Sequence, residues 1–95
     1  MKRVEKLLSQ LLDRRNIGEW WAYGPQRGPG QWCVCLELER SGLSGLPDHE
    51  WLETFDGCEV RFANGTLTAT YEARDPTPLQ AALEKGLEKL LGPHR

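Results

Sequence analysis

The sequence predicts an α+β domain, in which an antiparallel sheet of three to five strands is packed on one face by an N-terminal and a C-terminal helix. Two observations support this fold class. Residues 51–73 alternate between apolar and polar side chains in three runs, joined by Asp56-Gly57 and Asn64-Gly65. Both dipeptides suit the two positive-φ positions of a type I′ hairpin turn. Patterns of helical period stand before and after these runs, so we expect one domain spanning residues 1–95.

Residues 2–15 are predicted to form the first helix. Asn16 and Gly18 tolerate a left-handed backbone, so the helix is expected to end there. Its apolar residues recur at three- and four-residue spacing and form one stripe: Val4, Leu7, Leu8, Leu11 and Leu12.

Two strands are predicted to follow this helix. The aromatic run 19–23 is the first, and the Gly- and Pro-rich residues 24–30 form a loop after it. Residues 31–40 alternate clearly and form the second strand. Trp32, Val34, Leu36 and Leu38 would share one face of it, and Cys33, Cys35, Glu37 and Glu39 the other.

The segment 48–55 suits two structures. As a strand it leads into the first hairpin turn, with aromatic residues on the apolar face, but it also places Glu53 there. As a helix it would be capped by Asp48 and ended by Gly57. We favour the strand. Across the second turn, the predicted register sets Val60 opposite Ala69.

Residues 77–91 are predicted to form the last helix. Thr77, Pro78 and Gln80 have the form of a capping box with proline at the first helical position. Gly92-Pro93 ends the helix. The buried stripe is expected to contain Leu79, Leu83, Leu87, Leu90 and Leu91.

The sequence offers little of the chemistry that an enzyme needs. His94 lies in the C-terminal tail and His49 in a polar loop, where a surface role is expected. The spacing of the three cysteines does not match a zinc knuckle. We therefore predict a protein that is not an enzyme and that uses neither a metal nor a cofactor.

Cysteine usage and hydropathy predict a cytoplasmic protein. Cys33 and Cys35 are two residues apart in one strand, so a disulfide between them would distort it, and reduced thiols are expected. The apolar stretches are only a few residues long, so no membrane association is predicted.

An excess of tryptophan indicates a binding surface, because the chain has four among 95 residues. Trp20 and Trp21 are adjacent in a predicted strand, so their side chains point to opposite faces and one of them should be exposed. An exposed tryptophan beside Tyr23 and Arg27 has the composition of an interface hot spot.

Charge is distributed unevenly along a chain of net charge −2. Residues 2–15 contain five basic and two acidic residues, whereas residues 37–59 contain seven acidic residues and one basic residue. The acidic segment favours a protein partner with a basic surface. The candidate partner-binding residues are Trp20, Trp21, Tyr23, Arg27, Glu37, Glu39, Glu50 and Glu59.

Two other functions remain alternatives. A homodimer or a larger structural assembly would use the sheet edges or the exposed tryptophan. The runner-up to the protein-binding module is a nucleic-acid-binding domain, which is less favoured than that module because an acidic sheet repels phosphates. It would bind through the basic residues of the first helix: Lys2, Lys6, Arg14 and Arg15.

Two family resemblances bear on these alternatives. The element order resembles that of double-stranded-RNA-binding domains, which carry lysines at the start of the helix after the last strand. Residues 74–82 contain no lysine at that place. The sequence 77–83, Thr-Pro-Leu-Gln-Ala-Ala-Leu, resembles the helix start in small accessory proteins of bacteriophages and mobile elements. That resemblance implies a protein that binds and modulates a host machine, as anti-CRISPR and host-takeover proteins do.

Overall fold

A computed structural model describes residues 2–24, 30–72 and 77–92, without the side chains of residues 2–4. The predicted α+β fold with an antiparallel sheet is confirmed. Residues 51–55 form a strand, the structure that we favoured for this segment. The elements in chain order are α1 (Lys2–Arg14), β1 (Trp20–Tyr23), β2 (Gln31–Glu37), β3 (Trp51–Phe55), β4 (Cys58–Ala63), β5 (Thr66–Glu72) and α2 (Thr77–Leu91).

The five strands form one sheet in the spatial order β1-β2-β5-β4-β3, with every neighbouring pair antiparallel. The last strand in the sequence, β5, is therefore the central strand of the sheet. It joins the β1–β2 hairpin to the β3–β4 hairpin, while β1 and β3 form the two edges.

Both predicted hairpin turns have the backbone of a type I′ turn. Residues 56 and 57 have φ angles of 51° and 81°, and residues 64 and 65 have φ angles of 52° and 75°. All four angles are positive, as the two central positions of this turn require. The register that the second turn sets is confirmed, because Val60 pairs with Ala69.

Both helices pack on the same face of the sheet, called the inner face below. The core between them is apolar and almost completely buried. α1 contributes Leu8, Leu11 and Leu12, and α2 contributes Leu79, Ala82, Leu83 and Leu87. The strands contribute Trp32, Val34, Leu36, Cys58, Val60, Phe62, Leu67 and Ala69.

Close contact between α2 and the sheet depends on a glycine. A Cβ atom on Gly86 would lie only 3.1 Å from Val60 Cγ1 and 3.4 Å from Leu67 Cδ2. The missing side chain therefore lets the α2 backbone approach the centre of the sheet, which offsets the lower helix propensity of glycine.

The end of α1 follows the predicted pattern. Asn16 has a positive φ of 60°, and the Ile17 N–H donates to the Leu12 carbonyl at 2.9 Å. This bond belongs to a Schellman motif, in which a left-handed residue reverses the chain and an apolar residue then packs back on the helix. Ile17 is accordingly buried.

The inward position of Glu53, which made its segment ambiguous, is explained by α2. Lys89 Nζ donates to Glu53 Oε1 at 2.7 Å and lies 5.1 Å from the centre of the Trp51 ring. Lys85 makes a second ion pair with Asp56, with a separation of 3.0 Å. The last two turns of α2 therefore provide the positive charges that neutralise the carboxylates around the edge strand β3.

Candidate functional site

The candidate site is the face of the sheet opposite the helices, called the outer face below. Side chains that alternate with the core residues point to it, and neither α1 nor α2 covers it. The outer face consists of Trp21 and Tyr23 on β1, Gln31, Cys33, Cys35 and Glu37 on β2, Thr66, Thr68, Thr70 and Glu72 on β5, Glu59, Arg61 and Ala63 on β4, and Leu52 and Thr54 on β3.

Three large apolar side chains are exposed on this face. Trp21 is 48% exposed, Tyr23 57% and Leu52 63%. Single exposed apolar residues are ordinary on protein surfaces, but these three all belong to the face that neither helix covers. Trp21 and Tyr23 lie on one edge strand and Leu52 on the other, about 19 Å apart at the usual strand spacing.

One cross-strand row connects the two edges. It runs from Trp21 through Cys35, Thr68 and Arg61 to Leu52. The row is apolar at both ends and small or polar in the middle, where the Cys35 thiol lies 3.8 Å from the Thr68 hydroxyl. The outer face therefore has apolar anchors at its two edges and mainly polar side chains between them.

The outer face is acidic. Glu37, Glu59 and Glu72 lie on it with Arg61 as the basic residue of the set. The Arg61 charge is itself offset, because Arg61 Nη2 lies 3.5 Å from Glu50 Oε2. The face therefore presents more negative than positive charge to a partner.

The thiols of Cys35 and Cys58 are held in the protonated form. Burial raises the pKa of Cys35, and burial followed by the charge of Asp56 raises the pKa of Cys58 to about 11. The thiolate is the nucleophilic form of cysteine, so these two thiols are poor nucleophiles at neutral pH. The hydrogen bond with Cys33, and then the charge of that thiol when ionised, raise the pKa of Tyr23.

The described residues contain no cluster of three or more histidine, cysteine, aspartate or glutamate side chains that could hold a metal ion. All three cysteines are free thiols. Neither described helix is both long enough and apolar enough to cross a membrane.

The structure brings together five of the eight residues predicted to bind a partner. Trp21, Tyr23, Glu37 and Glu59 share the outer face, and Glu50 reaches it through its ion pair. These residues come from four segments that the sequence order separates and the sheet register aligns.

The other three predicted residues do not join this site. Trp20 lies opposite Leu36 on the inner face and packs against the core. Glu39 lies beyond the end of β2 and lines a cleft of about 420 Å³ between loop 43–50 and the second hairpin turn. Arg27 is outside the described residues.

The structure does not present all four basic residues of the nucleic-acid-binding alternative to solvent. Arg15 is buried, and its Nη1 donates to the Gly92 carbonyl at 3.1 Å, so it is not presented to solvent as a phosphate ligand. Lys6 and Arg14 are exposed, and the side chain of Lys2 lies outside the described part of α1. Of the three described side chains in the predicted basic set, two are therefore accessible cations.

Sequence reasoning missed Leu52 and Glu72 as site residues. Leu52 follows Trp51 in β3, so strict alternation assigns it to the outer face once the segment is read as a strand. Glu72 is the last residue of β5 and alternates with Thr68 and Thr70 in the same way. The signal was present for both residues, because both segments were predicted to be strands and alternation within a strand assigns each side chain to a face.

No protein-family model matches this chain, and no curated protein and no solved structure matches it.

Proposed function

We propose that this chain is a non-enzymatic protein-binding module that recognises its partner with the outer face of the sheet. The observation that carries this proposal is the common location of Trp21, Tyr23 and Leu52, which are exposed large apolar side chains on the face of the sheet that neither helix covers. Tryptophan and tyrosine contribute disproportionately to binding free energy at protein interfaces, because each covers much apolar area with few rotatable bonds.

The negative charge of the outer face determines which chemistry we expect of the partner surface. The glutamates of the outer face favour a surface with lysine or arginine around an apolar contact, and they disfavour nucleic acid. A basic partner would be attracted at long range, so its association should slow as the salt concentration rises.

The raised thiol pKa values support a binding role over catalysis. Cys35 lies in the middle of the outer face, and burial raises the pKa of its thiol, which disfavours the nucleophilic thiolate. The resemblance to bacteriophage accessory proteins adds a finer hypothesis, in which the partner belongs to a host machine. The identity of a captured partner would test it.

The test is affinity capture from a cytosolic lysate, followed by measurement with the purified partner. Trp21→Ala should weaken binding about 30-fold, or about 2 kcal/mol, as expected for an aromatic anchor residue. The double variant Glu37→Lys, Glu59→Lys should weaken binding at least tenfold at low salt, with a smaller effect at high salt.

The matched control is a charge reversal on the opposite side of the molecule. Lys6→Glu with Arg14→Glu changes two exposed cations of α1 and should leave the affinity unchanged. If the helix variant loses binding while the sheet variants keep it, the outer face is not the binding surface. Loss of the captured material after nuclease treatment would indicate nucleic acid as the partner.

A further inference from the structure

The hydrogen-bond register shows which backbone groups of β1 face the open edge of the sheet. The Glu37 N–H donates to the Glu19 carbonyl at 2.8 Å, so these two residues form a hydrogen-bonded pair. Bonded and non-bonded pairs alternate along an antiparallel ladder, so Trp21 and Tyr23 are bonded to β2 as well. Trp20 and Ala22 therefore direct their N–H and C=O groups away from β2, toward the edge.

The edge at β3 also directs backbone N–H and C=O groups away from the sheet, but charged side chains protect it from pairing with another strand. Phe55 and Cys58 flank the two-residue turn as a bonded pair, so Leu52 and Thr54 present their backbone groups to that edge. Charged groups are a common device by which proteins keep other strands from pairing with an edge. Around β3 these are the ion pairs Lys89–Glu53 and Lys85–Asp56.

The strand β1 lacks such charges. Its sequence is Trp-Trp-Ala-Tyr, and its outer side carries the exposed rings of Trp21 and Tyr23. An edge strand whose own residues carry no charge, and whose outward backbone groups have no partner among the described residues, is a template for another strand. Recognition by strand addition combines main-chain hydrogen bonds with side-chain contacts on both faces of the sheet.

We infer that the β1 edge receives an extended segment of the partner protein in which apolar and basic residues alternate. This inference rests on the proposed function and specifies the conformation of the partner. Inward side chains of the added strand would lie beside Trp20 and Ala22, which pack against the core, and must be apolar. Outward side chains would lie beside Trp21 and Tyr23, near the carboxylates of Glu19 and Glu37.

A basic residue suits the outward positions for two reasons. The ring of Trp21 can accept a lysine or arginine in a cation–π contact. Glu19 and Glu37 lie opposite each other at the start of β1, where they supply complementary negative charge. A second copy of this chain fits less well, because the Glu19 and Glu37 carboxylates beside β1 would meet like charges of the other copy. Four paired residues also bury much less than the roughly 1,200 Å² of a stable interface.

The test uses the full ¹⁵N-labelled chain and a blocked eight-residue peptide that alternates lysine and valine. Binding should slow hydrogen exchange at the Trp20 and Ala22 amides at least tenfold, while the Trp21 and Tyr23 amides, already bonded to β2, should change little. The same peptide with alternate backbone nitrogens methylated cannot donate to the edge and should bind at least tenfold more weakly. A glutamate–valine peptide should also bind at least tenfold more weakly.

Two proline variants form a matched pair. Ala22→Pro removes an outward N–H from the edge strand β1, where proline is tolerated. Ser44→Pro removes an N–H from the exposed loop 43–50, which lies outside the outer face. Thermal melting checks that both variants fold. Ala22→Pro should weaken peptide binding at least tenfold, and Ser44→Pro should change it by less than twofold.

The contrary outcomes are distinct. Equal binding of the methylated peptide, or protection at Leu52 and Thr54 instead, overturns strand addition at β1. In that case a loss of partner binding in Trp21→Ala would still support the proposed function. A concentration-dependent dimer that Ala22→Pro dissociates would make a second copy the occupant, and would also overturn the inference. Absence of any binding of the lysine–valine peptide overturns it directly.

Discussion

At the scale of single residues, the buried Cys58 thiol links stability to pH. Its pKa is raised from 9.0 to about 11 by burial and then by Asp56, so the folded protein holds this proton more tightly than the unfolded chain. The contribution to stability is therefore complete below about pH 9 and is lost as the pH rises toward 11.

We predict that the free energy of unfolding falls between pH 9 and pH 11, by up to about 2 kcal/mol from Cys58. Urea denaturation of wild type and Cys58→Ala at pH 7, 9 and 10.5 isolates this contribution, because the variant lacks the thiol but keeps the other titrating groups. Parallel stability curves for the two proteins would show that Cys58 has no such role.

Arg15 is a buried cation in an unusual place. It is 9% exposed, and its Nε and Nη2 have no hydrogen-bond partner among the described residues. Arg15 directly follows the C-terminus of α1, and its Nη1 donates to the carbonyl of Gly92, at the C-terminus of α2. Helix C-termini carry partial negative charge, so the two helix ends together favour a cation here.

The sign of the charge at position 15 should therefore determine stability. Arg15→Glu should lose about 3 kcal/mol, because a buried carboxylate would face two negative helix ends. Arg15→Met should stay within about 1 kcal/mol of wild type, because an apolar side chain avoids the cost of burying an incompletely paired charge. Urea denaturation measures both, and equal losses would mean that the hydrogen bond to Gly92 dominates.

At the scale of elements, α2 holds the edge strand β3 through Lys89. The ammonium bonds to Glu53 and lies over Trp51, whereas the neighbouring Lys85 makes an ion pair with Asp56 alone among the contacts described. Both lysines are partly exposed, so each ion pair alone contributes little.

Lys89→Met should destabilise the protein by about 1 kcal/mol, and Lys85→Met by about half as much or less. Methionine keeps much of the aliphatic chain of lysine, so the comparison reports mainly the charge. A double-mutant cycle with Glu53→Gln then separates the ion pair from the cation–π contact. Equal losses at the two lysines would leave no role for the Trp51 ring.

Most of the elements could be predicted from the sequence, because their signals are local. The Asp56-Gly57 and Asn64-Gly65 dipeptides determine turns, and each turn sets the register of the strands beside it. The pairing of β2 with β5 has no such signal, since it joins residues that are 29 or more positions apart. Alternation and turn chemistry therefore could not predict the order of the strands in the sheet.

At the scale of the whole molecule, the candidate site could be predicted only in part. Alternation within a strand is a local signal, whereas pairing between distant strands is not. Alternation assigned Glu37 and Glu59 to the exposed side of their strands, as the structure shows. Alternation also showed that the side chains of Trp20 and Trp21 point to opposite faces of the sheet, but it did not show which of the two is exposed. The pairing of Trp20 with Leu36 across β1 and β2 decides this.

The charge of the outer face should be detectable in the fluorescence of Trp21. Comparing wild type with Trp21→Phe isolates the contribution of this exposed ring. Caesium should quench that contribution more strongly than iodide, with acrylamide as the neutral reference, because nearby carboxylates attract the cation and repel the anion.

The double variant Glu37→Lys, Glu59→Lys should reverse the order of the two ionic quenchers, and high salt should reduce the difference in both proteins. Equal quenching of wild type by caesium and iodide at low salt would contradict an acidic field at Trp21.

The central position of β5 also affects how the chain folds. During synthesis, the β1–β2 and β3–β4 hairpins emerge first, and nothing in the sheet joins them until residues 66–72 follow. Closing these distant contacts costs chain entropy before the core is formed. The domain should therefore behave as one cooperative unit, and a nascent chain without its last strand would hold two hairpins whose inner faces remain open to water.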